Sequence, residues 1–119
     1  MPGGLGYLVV GTWPHPRYGW IIIPLEVSGD IILDMVLSTY SPLSYVSEGM
    51  AETLRGLGFA EPGDQALRLK AVSIQGQSLP DLEVRTRRFV APDTHGAFGL
   101  DFLNRFIEIR FHVAPTHAA

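Results

Sequence analysis

Two apolar runs, "WIIIPLEV" (20–27) and "IILDMVL" (31–37), stand only three residues apart, and this spacing limits the possible folds more than any other feature of the chain. Both are short and rich in β-branched residues, which favours strands over core helices. The linking "SGD" contains Gly29, which tolerates positive φ, so the pair reads as a tight antiparallel hairpin with Asp30 as a turn residue. Pro24 has no N–H to give a ladder, which predicts an edge position or a bulge in the first strand.

The same character runs through the rest of the chain. "ALRLKAVSI" and "LPDLEVRTRRFV" predict a second hairpin around "QGQS", with Leu82, Val84 and Thr86 alternating against Glu83, Arg85 and Arg87 as a half-buried strand should. "IEIRFHV" puts Ile107, Ile109, Phe111 and Val113 on one face and Glu108, Arg110 and His112 on the other. "SEGMAETLRGLG" reads as a short helix: Ser47 is the N-cap, Met50, Leu54 and Leu57 share a face, and Gly58 is the stop. "LDFLNRF" is a second helical turn with Asp101 as its starting cap, "FAEPGDQ" a connector with its corner at Pro62–Gly63, and "APDTHGAFG" a loop. The sum is an all-β, mainly antiparallel domain with two short helices.

Length and composition narrow the function. The 119 residues suit one domain over residues 1–119, with 1–19 as an N-terminal extension or extra hairpin and 114–119 as a disordered tail. Apolar residues make up 46% and charged ones 18%, which leaves apolar surface for a partner subunit. A net charge of −3 with scattered basic residues argues against nucleic acid, and Arg85, Arg87 and Arg88, the one cluster, read as a solvated strand face. Without cysteine there is no disulfide, thiolate or cysteine-ligated zinc, and His15, His95, His112 and His117 include no pair at metal-ligand spacing on one helix, so neither metal nor cofactor is expected. No apolar run is long enough to span a membrane and "MPGGLGYLVVG" lacks a basic leader, so the expected location is cytoplasmic. "GGLG" has no strand–turn–helix context and reads as a flexible leader rather than a phosphate loop. "GTWPHPRYGW" gathers Trp13, Tyr18 and Trp20 with two prolines, either as aromatics packed on their own domain or as a contact patch.

The stretch between the first hairpin and the first helix, "LSTYSPLSYVS" (37–47), has the position of a reactive loop but holds no acid, histidine or cysteine. Residues 25–58 and the closing "GAFGLDFLNRFIEIRFHV" (96–113) resemble, in this order, the two halves of a retropepsin-like aspartic protease subunit. In that family a hairpin leads into Asp-Thr-Gly, and a glycine-flanked apolar strand later runs into an Asp-Phe-Leu helix and a last strand. The resemblance implies a retropepsin-like acid-protease barrel and a homodimer, because each subunit supplies one aspartate and half of the cleft. In register, Ser38 takes the place of the catalytic aspartate, Thr39 matches the threonine, Tyr40 replaces the glycine, and Ser41, Ser44 and Val46 fall on positions the family fills similarly.

The substitutions have chemical consequences. An aspartic peptidase needs two carboxylates sharing a proton, one to activate water and one to protonate the substrate carbonyl. A serine hydroxyl does not ionise near neutral pH and is no general base for water, and a tyrosine side chain in the glycine position fills space meant for substrate. Nor is there room for a long lid, since seven residues separate Gly58 from the strand at Ala66–Leu67. Asp34 is the one rescue candidate, at the expense of a four-residue slip, and reads more simply as an outer-face side chain of its strand. Ser38 as a hydrolase nucleophile would need a histidine and an acid that the sequence does not assign to it. The expectation is therefore a catalytically inactive homodimeric module that binds a peptide or another protein through Ser38, Tyr40, Ser41 and Pro42. The alternative is an active aspartic endopeptidase using Asp34 or an acid from another chain.

Overall fold

The computed structural model describes residues 7–14, 17, 19–63, 66–106 and 108–113. In chain order these form β1 (Tyr7–Pro14), β2 (Ile21–Val27), β3 (Ile31–Leu37), β4 (Tyr45–Ser47), α1 (Glu48–Gly56), β5 (Ala60–Pro62), β6 (Leu67–Leu69), β7 (Val72–Ile74), β8 (Gln77–Ser78), β9 (Leu82–Arg87), β10 (Gly96–Phe98), α2 (Leu100–Leu103) and β11 (Glu108–Val113). One curled sheet runs β11-β1-β2-β3-β10-β4-β9-β6-β5, with β7 joining beside β2 and β8 pairing β7. Pairing is antiparallel except for β1–β11, β3–β10 and β4–β9.

The first hairpin closes as its spacing predicts. Val27 faces Ile31 in the ladder, and Ser28 and Gly29 both take positive φ, 54° and 71°, the backbone twist that suits a tight hairpin. Pro24 sits in a strand that is central overall but unpaired locally. On the side away from β3, β1 reaches only Ile21 and Ile22, and β7 only Glu26 and Val27. The Asp34 N–H and C=O opposite Pro24 both point away from β2, toward His95. The proline nitrogen therefore faces the gap between β1 and β7, where no ladder bond is asked of it.

Helix α1 follows its signals closely. The Ser47 side chain accepts from the Met50 N–H at 3.2 Å. At the other end Gly58 takes φ +77°, the Phe59 N–H bonds to Leu54 O and the Gly58 N–H to Arg55 O. These two bonds form a Schellman stop, which only a residue at ease with positive φ allows. Ala51 and Leu54 are buried. Leu57 is not part of that face: as the C-cap it lies past the last helical residue and is half exposed.

Three other stretches differ from the sequence reading. The predicted second hairpin is two elements, because the strand breaks at Ala71, with φ 51°, and β7 and β8 fold about Gln75 and Gly76 as a separate two-residue hairpin. Thr86 is exposed, so the alternation of β9 stops at Val84. The "GAF" of the predicted 91–99 loop is strand β10, buried at every residue between β3 and β4. The aromatic N-terminal stretch contributes β1, which turns back onto β2, and Trp20, which packs beside Ile22, Val36 and Ala97. Tyr18, His15 and the 114–119 tail lie outside the described residues.

One main core draws on nearly every strand and both helices. Leu25, Val27, Leu33, Met35, Val46, Leu54, Leu69, Ile74, Phe98 and Phe102 meet there, with the Phe98 and Phe102 rings stacked at 4.0 Å between centroids. Phe106 adds an edge contact to Phe102. Strand β3 thus buries Leu33 and Met35 while Ile32 and Asp34 look outward, and this fixes the register in which the next loop leaves the sheet.

Candidate functional site

Strands β3 and β4 follow each other in sequence but do not pair. β10 inserts between them, parallel to β3 through Gly96↔Met35 and Phe98↔Leu37, and antiparallel to β4 through Gly96↔Val46. The connection 38–44 therefore crosses the end of β10. It is the loop that the sequence singles out.

Close approach is possible because both residues flanking "AF" are glycines. A Cβ on Gly96 would run into the Tyr45 carbonyl oxygen, and one on Gly99 would stand 2.6 Å from Ser41 O and 2.8 Å from Leu43 O. The loop is then tied down from behind. Phe98 O accepts from the Ser38 N–H at 2.9 Å, Ser41 O from the Leu100 N–H at 2.9 Å, and Pro42 O from the Asp101 N–H at 3.1 Å. The Ser41 hydroxyl donates to Leu43 O at 2.6 Å. The Ser44 hydroxyl accepts from the Gly99 N–H at 3.0 Å and donates to Asp101 Oδ1 at 2.7 Å, while the Ser44 N–H is shared between the two Asp101 oxygens at 2.9 and 3.0 Å.

Asp101 is thus more than a helix-start residue. Gly99 holds the N-cap position of α2 with no side-chain cap bond, and the Asp101 carboxylate instead latches the far end of the 38–44 loop to α2. With Ser44 1% exposed, the latch satisfies polar groups that burial would otherwise leave unpaired. Sequence reasoning missed this role because the partner lies 57 residues away; the signal was the serine at position 44 itself. Beside the latch a cleft of about 200 Å³ is lined by Ser44, Asp81, Leu82, Glu83, Asp101, Phe102 and Arg105.

The front of the loop is bare by contrast. Ser38 is half-buried, and its hydroxyl makes no hydrogen bond among the described residues. Thr39 and Pro42 are exposed, and Tyr40 is 98% exposed. Leu43 and Leu100 are also exposed, at 39% each, so the loop and the start of α2 display apolar side chains. Asp34 is elsewhere, in mid-strand opposite Pro24, with its backbone N–H on His95 Nδ1 at 2.8 Å. Its side chain shares the outer face with Ile32, four residues back along β3 from Ser38, a separation of about 13 Å for extended chain. Among the described residues no three His, Asp or Glu side chains gather as a metal site, and no helix is long and apolar enough to cross a membrane.

A loop joining two unpaired neighbours, held by an inserted third strand and backed by a short helix within a curled sheet, is the retropepsin-like arrangement, and this chain has that fold. The retroviral protease-like domain of Ddi1 from Leishmania major superposes with a TM-score of 0.56 at 14% identity, over 76% of this chain and 76% of that one. A retropepsin-like aspartic protease from Rickettsia conorii does so with a TM-score of 0.54 at 18% identity, over 79% and 75%. At these identities the likeness is one of fold. No protein-family model and no curated protein matches the sequence.

Proposed function

We propose that this chain is a catalytically inactive module of retropepsin-like fold that pairs with a second copy through its 38–44 loop and binds a peptide or protein segment there. The observation that carries the reading is the contrast within one loop: it is anchored through the Ser38 N–H, Ser41 O, Pro42 O and Ser44, yet Ser38, which the resemblance aligns with the family's acid, carries only a hydroxyl. Two hydroxyls facing each other across a two-fold axis can hold a water but have no basic group to deprotonate it. Tyr40, Leu43 and Leu100 support the pairing, because a rigid loop that displays an aromatic side chain gives up little conformational freedom on association. Burying Tyr40 is worth about 1.5–3 kcal/mol per chain. The three-residue strands β5 and β6, which follow α1 as a short hairpin, leave little chain to fold over a bound peptide.

Incubation of the pure protein with a denatured substrate protein at acidic pH, with and without pepstatin, tests the inactive reading. No pepstatin-sensitive cleavage is expected. Turnover that is blocked by pepstatin and lost in Asp34→Asn would sink it and establish the peptidase alternative. Sedimentation at micromolar concentration tests the pairing, and a monomer alone would refute it.

A further inference from the structure

The outer face of the sheet carries a second surface, which begins where the 38–44 loop runs into β4. On β9 the side chains of Arg85 and Arg87 point outward while Leu82 and Val84 fill the core. Arg85 stands opposite Tyr45 in the β4–β9 ladder, and the Arg87 guanidinium carbon lies 4.2 Å from the centre of the Tyr45 ring. The next residue repeats the motif, with the Arg88 guanidinium 5.6 Å from the Phe89 ring and Phe89 itself 81% exposed. Tyr45 is half-buried over Ile22, Val36 and Ala97, so the platform under Arg87 is fixed by packing.

Neither Arg87 nor Arg88 meets a carboxylate among the described residues. Arg68 and Lys70, by contrast, are paired: Arg68 reaches Glu61 at 3.2 Å and Glu83 at 3.9 Å, and Lys70 reaches Glu61 at 3.5 Å. A guanidinium lying on an aromatic ring has one flat face covered and its N–H edges free, which is the posture that takes a carboxylate in two parallel hydrogen bonds. In a chain of net charge −3, Arg87 held on Tyr45 and Arg88 beside the exposed Phe89, neither with a carboxylate among the described residues, are a local inversion of sign.

We infer that the β4–β9 face, through Arg87 on Tyr45 and Arg88 beside Phe89, is a docking surface for an acidic segment of a partner protein. The positive patch is short, Arg85, Arg87 and Arg88 at one end of β9, in a chain of net charge −3, which suits a few carboxylates rather than a polyanion. Packing of an apolar partner residue on Phe89 completes the match. The surface does not depend on pairing through the 38–44 loop, so it stands or falls separately from the function proposed above.

The test is fluorescence anisotropy of a labelled oligoglutamate peptide, alternating glutamate with leucine, titrated with the full chain at low and at physiological salt. Binding that weakens with salt is expected, with Arg87→Glu and Arg88→Glu each reducing affinity about tenfold or more. Arg87→Lys keeps the charge but loses the planar fork, and should weaken binding several-fold. Arg55→Glu, on α1, should leave affinity unchanged within about twofold. Circular dichroism confirms that each variant remains folded. Absence of binding, equal losses with Arg55→Glu, or tighter binding of a labelled single-stranded oligonucleotide than of the peptide would each overturn the inference.

Discussion

The back and the front of the 38–44 loop obey opposite rules. Behind it, Ser41, Ser44, Gly99 and Asp101 leave scarcely a polar group unpaired. In front, only the Ser38 N–H is bonded, to Phe98 O, and the side chains of Thr39 and Tyr40 are exposed. The geometry that positions a reactive group and the group itself are thus separable in this fold. The anchoring rests on strand order, on two glycines and on one carboxylate, none of which involves the side chain at position 38. On the function proposed above, the domain keeps this anchoring without the acid.

If the back of the loop is structural, its removal should cost more than any change in front. Gly99→Ala is expected to give the largest effect, because the added Cβ meets backbone atoms of Ser41 and Leu43 that no rotamer change can move aside. A loss of about 3 kcal/mol or more, read from urea unfolding, follows from overpacking against fixed backbone. A loss below about 1 kcal/mol would mean that the loop slides freely over α2, and the contrast between back and front would collapse.

Asp101→Ala comes next. It removes the acceptor for both the Ser44 N–H and the Ser44 hydroxyl and leaves them buried, at about 2–3 kcal/mol. Asp101→Asn keeps one oxygen in place and should recover roughly half of that loss. The pair of variants sharpens the comparison by asking whether the latch needs a charge or only an acceptor. Equal stability of both variants and the parent would show that water replaces the carboxylate at no cost.

Much of the framework was readable from residues close in sequence. Gly29, Ser47 and Gly58 each act within a few positions of themselves and so mark, in the sequence alone, the hairpin and the helix they bound. The misreadings share a different cause. Strand β10 is buried on both faces and only three residues long, so it shows no alternation and its "GAF" read as loop. The β6–β7 break depends on a positive φ at Ala71, a residue type that gives no hint of it. Asp101 was assigned to its own helix because local capping was the only partner that sequence could offer. Arg87 and Tyr45 likewise become neighbours only through the parallel β4–β9 pairing. For the loop itself, the register comes from the resemblance, and the inactive reading from the hydroxyl chemistry of Ser38.

The front of the loop yields the smallest effect on stability and the most informative one on association. Tyr40→Ala removes a side chain that touches almost nothing in the single chain, so its unfolding free energy should stay within about 0.5 kcal/mol when measured at a concentration where the protein is monomeric. The same variant should raise the dimer dissociation constant by tenfold or more, as truncation of a buried interface aromatic does. Sedimentation across a dilution series separates the two quantities, because folding of the monomer does not depend on concentration and pairing does. A dimer as tight as the parent's would place the contact elsewhere on the surface and leave Tyr40 free as a ligand contact, whereas a large stability loss in the monomer would show that the front of the loop is packed after all.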